Sequence, residues 1–147
     1  MVKKIIGVIG AGRCEKQIYS IAEEVGKLLA KNDAVLITGG LTGVMEAASK
    51  GAYSEGGITI GILPGDNRSD ANPYVLIPLP TGMGEARNAL IAKMCDALIA
   101  IGGEYGTLSE IALGLKMGKK VVALMSWDIP GIIKAKDPYD AVNKVLK

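Results

Sequence analysis

The feature that most constrains the fold is an alternation of short aliphatic runs with helical repeats. Branched apolar runs bounded by Gly, Pro, Asn or Asp are typical of strands, and here they cover residues 5–9, 34–38, 58–63, 74–79, 97–101 and 121–125. Apolar residues at helical spacing lie between several of them, at 18–29, 44–54, 86–95 and 107–117, and a last helix is predicted to begin at Asp137 and Pro138. Crossover connections of this kind give parallel strands, so the pattern predicts a three-layer α/β fold with a mostly parallel sheet.

Composition limits the partners that such a chain can have. Its 147 residues fit a single domain, 1–147, and a core without Phe must be built from the aliphatic side chains that suit buried parallel strands. The net charge is +2 and the basic residues are scattered, which argues against a nucleic-acid groove. No signal peptide and no membrane-spanning run is visible, so we expect a cytoplasmic protein that binds neither nucleic acid nor membranes.

The chain contains no histidine, and this excludes several kinds of catalytic site. Ser-His-Asp triads, Cys-His pairs and the common zinc hydrolase sites all need imidazole. Cys14 and Cys95 are too few for a four-thiolate zinc site or a disulfide framework, and we interpret both as small hydrophobic residues in a reducing compartment. We therefore predict no metal site.

Three glycine turns follow predicted strands and precede predicted helices. The candidate phosphate-binding residues in them are Gly10, Gly12, Arg13, Gly39, Gly40, Thr42, Gly43, Gly102, Gly103, Gly106 and Thr107. Free N–H groups at a helix N-terminus bind anions, and glycine lets the backbone approach a phosphate closely. One such turn is also explained by the positive φ that sharp turns need, but three at the same sheet edge favour a phosphorylated small molecule.

Two familiar phosphate-binding motifs are excluded by inspection. The first turn lacks the third glycine of a dinucleotide fingerprint, since Glu15 stands there, and the second strand ends in Thr38 rather than in an acid. The Gly118-Lys119 pair is followed by Lys120 and not by Ser or Thr. Neither a typical NAD site nor a Walker-type ATPase is therefore expected.

Two charged residues have both a structural and a chemical interpretation. Thr107 and Glu110 fit a capping box, in which the Thr hydroxyl and the acid satisfy the first helical N–H groups. A carboxylate in the first turn of that helix would also meet a ligand's ribose or a water. Arg87 is either a solvated surface charge or a fork that binds phosphate or carboxylate. The residue pattern leaves both alternatives open.

The motifs together resemble the Rossmann-like family of Lonely Guy phosphoribohydrolases and molybdenum cofactor carrier proteins. The resemblance covers nearly the whole chain and rests on Gly102-Gly103-x-x-Gly106-Thr107-x-x-Glu110, with Arg87 before it and Gly39-Gly40-Leu41-Thr42-Gly43-Val44-Met45 upstream. Further motifs are more similar to the carrier branch: residues 42–48, Gly61-Ile62-Leu63-Pro64, Asn72-Pro73-Tyr74 and residues 81–88.

The resemblance implies two functions. As a hydrolase of nucleoside 5′-monophosphates, the protein would use Arg87 and Glu110 as its catalytic residues, with no metal. Ile101 replaces that motif's proline, Glu104 is an added acid and Asn88 replaces a lysine, departures that concern turnover and leave phosphate binding intact. As a carrier, it would hold a pterin that ends in a monophosphate.

We expect the carrier-like function, with the hydrolase as the alternative. The ligand is then molybdenum cofactor or a nucleoside monophosphate, and no cofactor is required. A homo-oligomer, dimer or tetramer, is implied by the resemblance. A pure interaction module without a small-molecule ligand is the remaining class.

Overall fold

The computed structural model describes residues 2–147. The elements in it alternate along the chain: β1 (Ile5–Gly10), α1 (Lys16–Lys31), β2 (Val35–Thr38), α2 (Val44–Ser54), β3 (Thr59–Leu63), β4 (Ile77–Pro80), α3 (Arg87–Met94), β5 (Ala97–Ile101), α4 (Tyr105–Lys116), β6 (Lys120–Leu124), β7 (Ile133–Ala135) and α5 (Pro138–Leu146). Single 3₁₀ turns lie at Arg68–Asp70 and Gly84–Ala86. The predicted α/β architecture is confirmed.

The seven strands form one sheet in the order β4-β3-β2-β1-β5-β6-β7, and every pair in it is parallel. The strand order reverses between β1 and β5, which are themselves neighbours. In such sheets the loops on the two sides of the reversal diverge and leave a crevice at the carboxyl ends of the strands. The topology therefore places the turns after β1, β2 and β5 around one crevice.

Helices cover both faces of the sheet because strand residues alternate between the two sides. Ile6 and Val8 of β1 face a core shared with α1, α2 and α5, whereas Ile9 faces the core of α3 and α4. Strand β5, which lies next to the central strand β1, is buried along its whole length. The hydrophobic layers thus fix β1 and β5 rigidly, and with them the turns that leave their ends.

Three details of the elements differ from the sequence prediction. β7 was not predicted, because an edge strand of three residues, two of them exposed, has too short an apolar run to be distinguished from a loop. β4 is only four residues long and begins at Ile77, since the chain before it is occupied by the turn at Asn72. The third difference, the start of α4, bears directly on the site.

Helix α4 begins two residues earlier than predicted, so the capping-box interpretation of Thr107 and Glu110 is wrong. The N-cap is Glu104, and no side chain caps the helix. Thr107 is the third helical residue, and its side chain lies over Gly103, where an added Cβ would be 2.3 Å from the Thr107 Oγ1. Glu110 consequently lies in the second turn, not the first.

Candidate functional site

A cleft of about 480 Å³ opens at the carboxyl ends of β1, β2 and β5. Its size is within the range of sites for small organic ligands. The lining consists of Val8, Ile9, Gly10, Ala11, Gly12, Arg13, Gly39, Leu41, Thr42, Met45, Glu85, Arg87, Asn88, Glu104, Gly106, Thr107 and Glu110. Each of the three glycine turns contributes to this lining, as expected for the crevice at the strand reversal.

The structure brings nine of the thirteen predicted site residues together in this cleft. These are Gly10, Gly12, Arg13, Gly39, Thr42, Arg87, Gly106, Thr107 and Glu110. The other four, Gly40, Gly43, Gly102 and Gly103, are not part of the cleft lining. All four have positive φ values, so the backbone conformation of the turns is enough to explain a glycine at each of them.

Positive φ favours glycine at all four positions, and contacts within the turns constrain some of them further. The N–H of Gly40 already donates to the Thr38 Oγ1 at 3.0 Å, and a Cβ at Gly43 would lie 2.3 Å from the carbonyl oxygen of Ala11. The N–H of Gly102 donates to the carbonyl of Leu124 at 3.3 Å. These residues shape the turns and do not line the cleft.

Arg87 points inward, which excludes its interpretation as a solvated surface charge. It is only 5% exposed, at the start of α3. Its Nη1 donates to the Asn88 Oδ1 at 2.8 Å and lies 3.8 Å from a carboxylate oxygen of Glu85, whose side chain is largely solvent-exposed. The Nε is buried and has no hydrogen-bond partner within residues 2–147. A buried donor without a partner is costly, so this guanidinium keeps one donor that the described residues leave unsatisfied.

Gly39 is needed for this placement of the arginine. A Cβ at position 39 would lie 2.8 Å from the Arg87 Nη2 and 2.6 Å from the Met45 sulfur. Either neighbour would have to move. The glycine turn after β2 thus supplies the space that the guanidinium occupies, in addition to any contact with a ligand.

A chain of hydrogen bonds joins Arg87 to the first turn of α4. Asn88 accepts from Arg87 and donates through its Nδ2 to the Ser109 Oγ at 3.2 Å. Ser109 in turn donates to the carbonyl of Gly106 at 2.9 Å. Because Asn88 is buried, this chain holds the guanidinium in a fixed relation to the N-terminus of α4.

Glu110 faces the same cleft as a buried carboxyl group. It is 8% exposed, and burial raises its pKa to about 8, opposed by the positive charge of Arg87 and supported by the negative charge of Glu85. The group is therefore predominantly protonated at pH 7 and can donate a hydrogen bond. An acid with a raised pKa beside an arginine is a common feature of functional sites, although structural networks also produce it.

The N-termini of α2 and α4 enter the cleft without side-chain caps. The N-cap residue of α2 is Gly43, which has no side chain. The N-cap residue of α4 is Glu104, and its side chain makes no capping hydrogen bond. The N–H groups of residues 105–107 make no hydrogen bond to any other part of the described chain. Gly106 and Thr107 line the cleft, so the positive end of the α4 dipole faces it.

Several residues of this region were not among the predicted site residues. Leu41, Met45, Glu85, Asn88 and Glu104 line the cleft. Asn72 is outside the lining and donates to two carbonyls of the glycine turn after β2. The Asn-Pro-Tyr sequence is a turn signal, and the Asn72 Oδ1 does accept from the Tyr74 N–H, but no sequence pattern reveals which distant carbonyls its amide meets.

No helix between residues 2 and 147 is long and apolar enough to cross a membrane. In that part of the chain, no three His, Cys, Asp or Glu side chains are grouped so that they could hold a metal ion.

Known proteins resemble this chain over most of its length. An uncharacterised protein of Archaeoglobus fulgidus is 50% identical over 139 residues, covering 94% of this chain and 91% of the relative. The structure of the molybdenum cofactor binding protein from the phototrophic bacterium Rippkaea orientalis has 38% identity and a TM-score of 0.94, covering 99% of this chain and 97% of that one.

A more distant relative is cytokinin riboside 5′-monophosphate phosphoribohydrolase LOG of Oryza sativa subsp. japonica, 31% identical over 136 residues. This match covers 86% of the present chain but spans only 56% of the rice protein. The resemblance seen in the motifs is thus confirmed. The SLOG cluster4 family model matches residues 3–146, and the chain belongs to that family.

Proposed function

We propose that this protein binds a small molecule that ends in a phosphate group and holds it without chemical change, as a carrier does. The observation that carries the proposal is Arg87, a buried guanidinium whose Nε has no partner within residues 2–147, in a cleft that the N-terminus of α4 enters without a side-chain cap. A phosphate dianion supplies the acceptors that these donors lack.

Each part of the cleft has a distinct task in this proposal. The N–H groups at the start of α4 bind phosphate oxygens, and Arg87 donates to them from α3. Arg13, at the exposed edge of the cleft, adds a screened positive charge. Glu110 is protonated at pH 7 and therefore does not repel the anion.

The ligand is molybdenum cofactor or a nucleoside monophosphate. The full-length similarity to the Rippkaea protein supports the first, and the volume of the cleft is compatible with either. The lining contains no thiol or imidazole, so the residues present fit the phosphate end of the cofactor, and the proposal concerns that end. No further cofactor is required for binding.

Calorimetric titration with AMP and with adenosine tests the binding. AMP should bind more tightly than adenosine, and Arg87→Gln should weaken AMP binding by about 100-fold, since a hydrogen bond to a charged group contributes roughly 1.5–3 kcal/mol. Arg68→Gln is the matched control, because Arg68 is exposed in the 3₁₀ turn at Arg68–Asp70 and outside the cleft lining. Equal affinities of the wild type for AMP and adenosine would refute the proposal.

A phosphoribohydrolase is the second candidate, and the observation that favours it is Glu110 beside Arg87. In this reaction water adds to C1′ of the ribose as the C1′–N bond breaks, giving ribose 5-phosphate and the free base, with the released proton on the base. Protonated Glu110 would donate to the leaving base, or after ionisation it would stabilise the cation-like sugar or activate the water. Asn88, at the position of the hydrolase lysine, is instead bonded to Arg87.

Incubation with AMP and an assay for ribose 5-phosphate separates the two functions. The carrier predicts AMP binding with release no faster than in the buffer blank. Release that falls by about 10²–10⁴-fold in Glu110→Gln would favour the hydrolase, because that is the usual loss when an acid or base is removed. A thermal-shift screen in which no mononucleotide raises Tm would favour an interaction module instead.

We also propose that the chain is one domain and forms a cytoplasmic homo-oligomer, a dimer or tetramer. Leu79 on the edge strand β4 is 42% exposed, and Leu76 just before this strand is 55% exposed. Exposed apolar side chains at this edge suit a contact between copies. Light scattering tests the oligomer, and a monomer at micromolar concentration would refute it. Cell fractionation tests the location, and recovery outside the cytoplasmic fraction would contradict it.

A further inference from the structure

Asn72 is a buried polar residue that the predicted site does not include. It is 8% exposed and lies in the connection between β3 and β4, outside the cleft lining. Its Nδ2 donates to the carbonyl oxygens of Gly40 at 3.2 Å and Leu41 at 2.7 Å. Its Oδ1 accepts from the N–H of Tyr74 at 3.0 Å, so every polar atom of the side chain is engaged.

These bonds fix the direction of two peptide groups in the glycine turn after β2. In a trans peptide the carbonyl and the following N–H point in opposite directions. With the Gly40 and Leu41 carbonyls directed towards Asn72, the N–H groups of Leu41 and Thr42 point away from it. Leu41 and Thr42 both line the cleft, and within residues 2–147 neither of their N–H groups makes a hydrogen bond.

The two carbonyls depend on Asn72 to different degrees. The Gly40 carbonyl also accepts from the backbone N–H of Asn72 at 2.9 Å, so the turn keeps one hydrogen bond to Asn72 when the side chain is removed. The Leu41 carbonyl accepts only from the Asn72 side chain among the contacts of the described residues. The orientation of the Leu41–Thr42 peptide therefore depends on the Asn72 amide.

We propose that Asn72 is a positioning residue for the anion site, and that it turns the N–H groups of Leu41 and Thr42 towards a phosphate in the cleft. This inference rests on the proposed function. It places part of the phosphate selectivity in a residue that does not touch the ligand. The positive φ of Gly40, 79°, is what allows the turn to present consecutive carbonyls to one side chain.

The test compares AMP with adenosine in wild type, Asn72→Ala and Asn72→Asp, at a temperature at which urea titration shows each variant folded. Asn72→Ala removes both donors without adding charge. Asn72→Asp keeps the volume and the acceptor for Tyr74 but places oxygen against the two carbonyls. Asn67→Asp is the control, because Asn67 is exposed in the same connection and accepts from Ser69 only through its Oδ1.

Both Asn72 variants should bind AMP about 10-fold more weakly, the effect of losing roughly one hydrogen bond to a charged group, while adenosine binding stays within about twofold. A merely structural role would weaken both ligands equally, and that result overturns the inference. Loss of AMP affinity in Asn72→Asp alone, or an equal loss in Asn67→Asp, would indicate a charge effect and overturn it as well.

The same experiment separates this inference from the proposed function. If wild type binds AMP more tightly than adenosine and the Asn72 variants do not differ from it, only the positioning role fails. If wild type binds neither AMP nor inorganic phosphate, the phosphate site itself fails and the inference fails with it.

Discussion

The N-termini of α4 and α5 are built in opposite ways. At α5, the Asp137 carboxylate accepts from the Asp140 N–H at 2.7 Å, and Pro138 occupies the first helical position, where no N–H is needed. At α4, the N-cap Glu104 makes no capping bond, and the first N–H groups face the cleft. The comparison shows that the start of α5 is closed by its own sequence, whereas the start of α4 leaves N–H groups unbonded beside the cleft.

The acids near the two helix starts have pKa values that are shifted in opposite directions. Glu110 of α4 is buried, and its pKa is raised to about 8. Asp140 of α5 is partly exposed, and hydrogen bonds from the Lys136 N–H and the Lys144 ammonium hold its pKa below the usual value. One acid thus costs folding free energy when it ionises, and the other contributes stability when it ionises.

The largest expected effect is on the pH dependence of stability in Glu110→Gln. The pKa of Glu110 rises from 4.5 to about 8 on folding, so the folded state holds the proton more tightly and stability falls as pH rises through this window. Between pH 5 and pH 8 the wild type should lose on the order of 2–4 kcal/mol relative to Glu110→Gln. Urea unfolding at both pH values measures the difference, and parallel losses in the two proteins would contradict the account.

Removing the α5 cap should affect stability but not binding. Asp137→Ala should lower the free energy of unfolding by about 1 kcal/mol, the usual contribution of an N-cap side chain, and leave AMP affinity unchanged. Asp128→Ala, which breaks only an exposed ion pair with Lys134, is the control. A change of AMP affinity in Asp137→Ala would contradict this prediction. So would a free energy of unfolding for Asp137→Ala that is no lower than that of Asp128→Ala.

Neutralising the N-cap residue of α4 should change AMP binding but leave stability nearly unchanged. Glu104 lines the cleft, and its charge opposes an anion there. Glu104→Gln should tighten AMP binding about threefold at low salt, with the gain lost at high salt, and should change stability by at most about 0.5 kcal/mol. Glu55→Gln, at the far end of α2, provides the matched loss of charge. A weaker AMP complex in Glu104→Gln, measured by calorimetry, would argue against an anion at this helix end.

The smallest effect concerns Asp140→Asn. Because the pKa of Asp140 is lowered on folding, its contribution is present above the unfolded pKa and is lost as pH falls through the folded value. Acidification below pH 5 should therefore destabilise the wild type slightly more than Asp140→Asn. Thermal unfolding from pH 5 to pH 3 checks this, and a larger loss in the variant would be inconsistent with the lowered pKa.

The sequence predicts the layers, the central strands and the capped end of α5 because these features depend on local signals. Buried strands such as β5 are continuous aliphatic runs, and the Asp137-Pro138 pair specifies a helix start by itself. The same local rule failed at α4, where Thr107-x-x-Glu110 matches a capping box that the structure does not form. Thr107 is instead the third residue of a helix that begins at Tyr105, a start that the residue pattern does not reveal.

The candidate site could be predicted only in part. The glycine turns identify the edge of the sheet, and nine of their residues and charged neighbours line the cleft. The inward direction of Arg87 and the contact of Asn72 with Leu41 depend on packing between segments far apart in sequence. Such contacts leave no pattern in one sequence.

The most direct test of the central claim is an ¹⁵N–¹H NMR titration with AMP. The account predicts large shifts of the amide signals of Gly106 and Thr107, at the open end of α4, with no change at Tyr139 and Asp140, at the capped end of α5. Adenosine at the same concentration should leave all four signals in place. Shifts of equal size at both helix ends, or none at Gly106 and Thr107 when AMP is bound, would contradict the claim that α4 presents its free N–H groups to a phosphate.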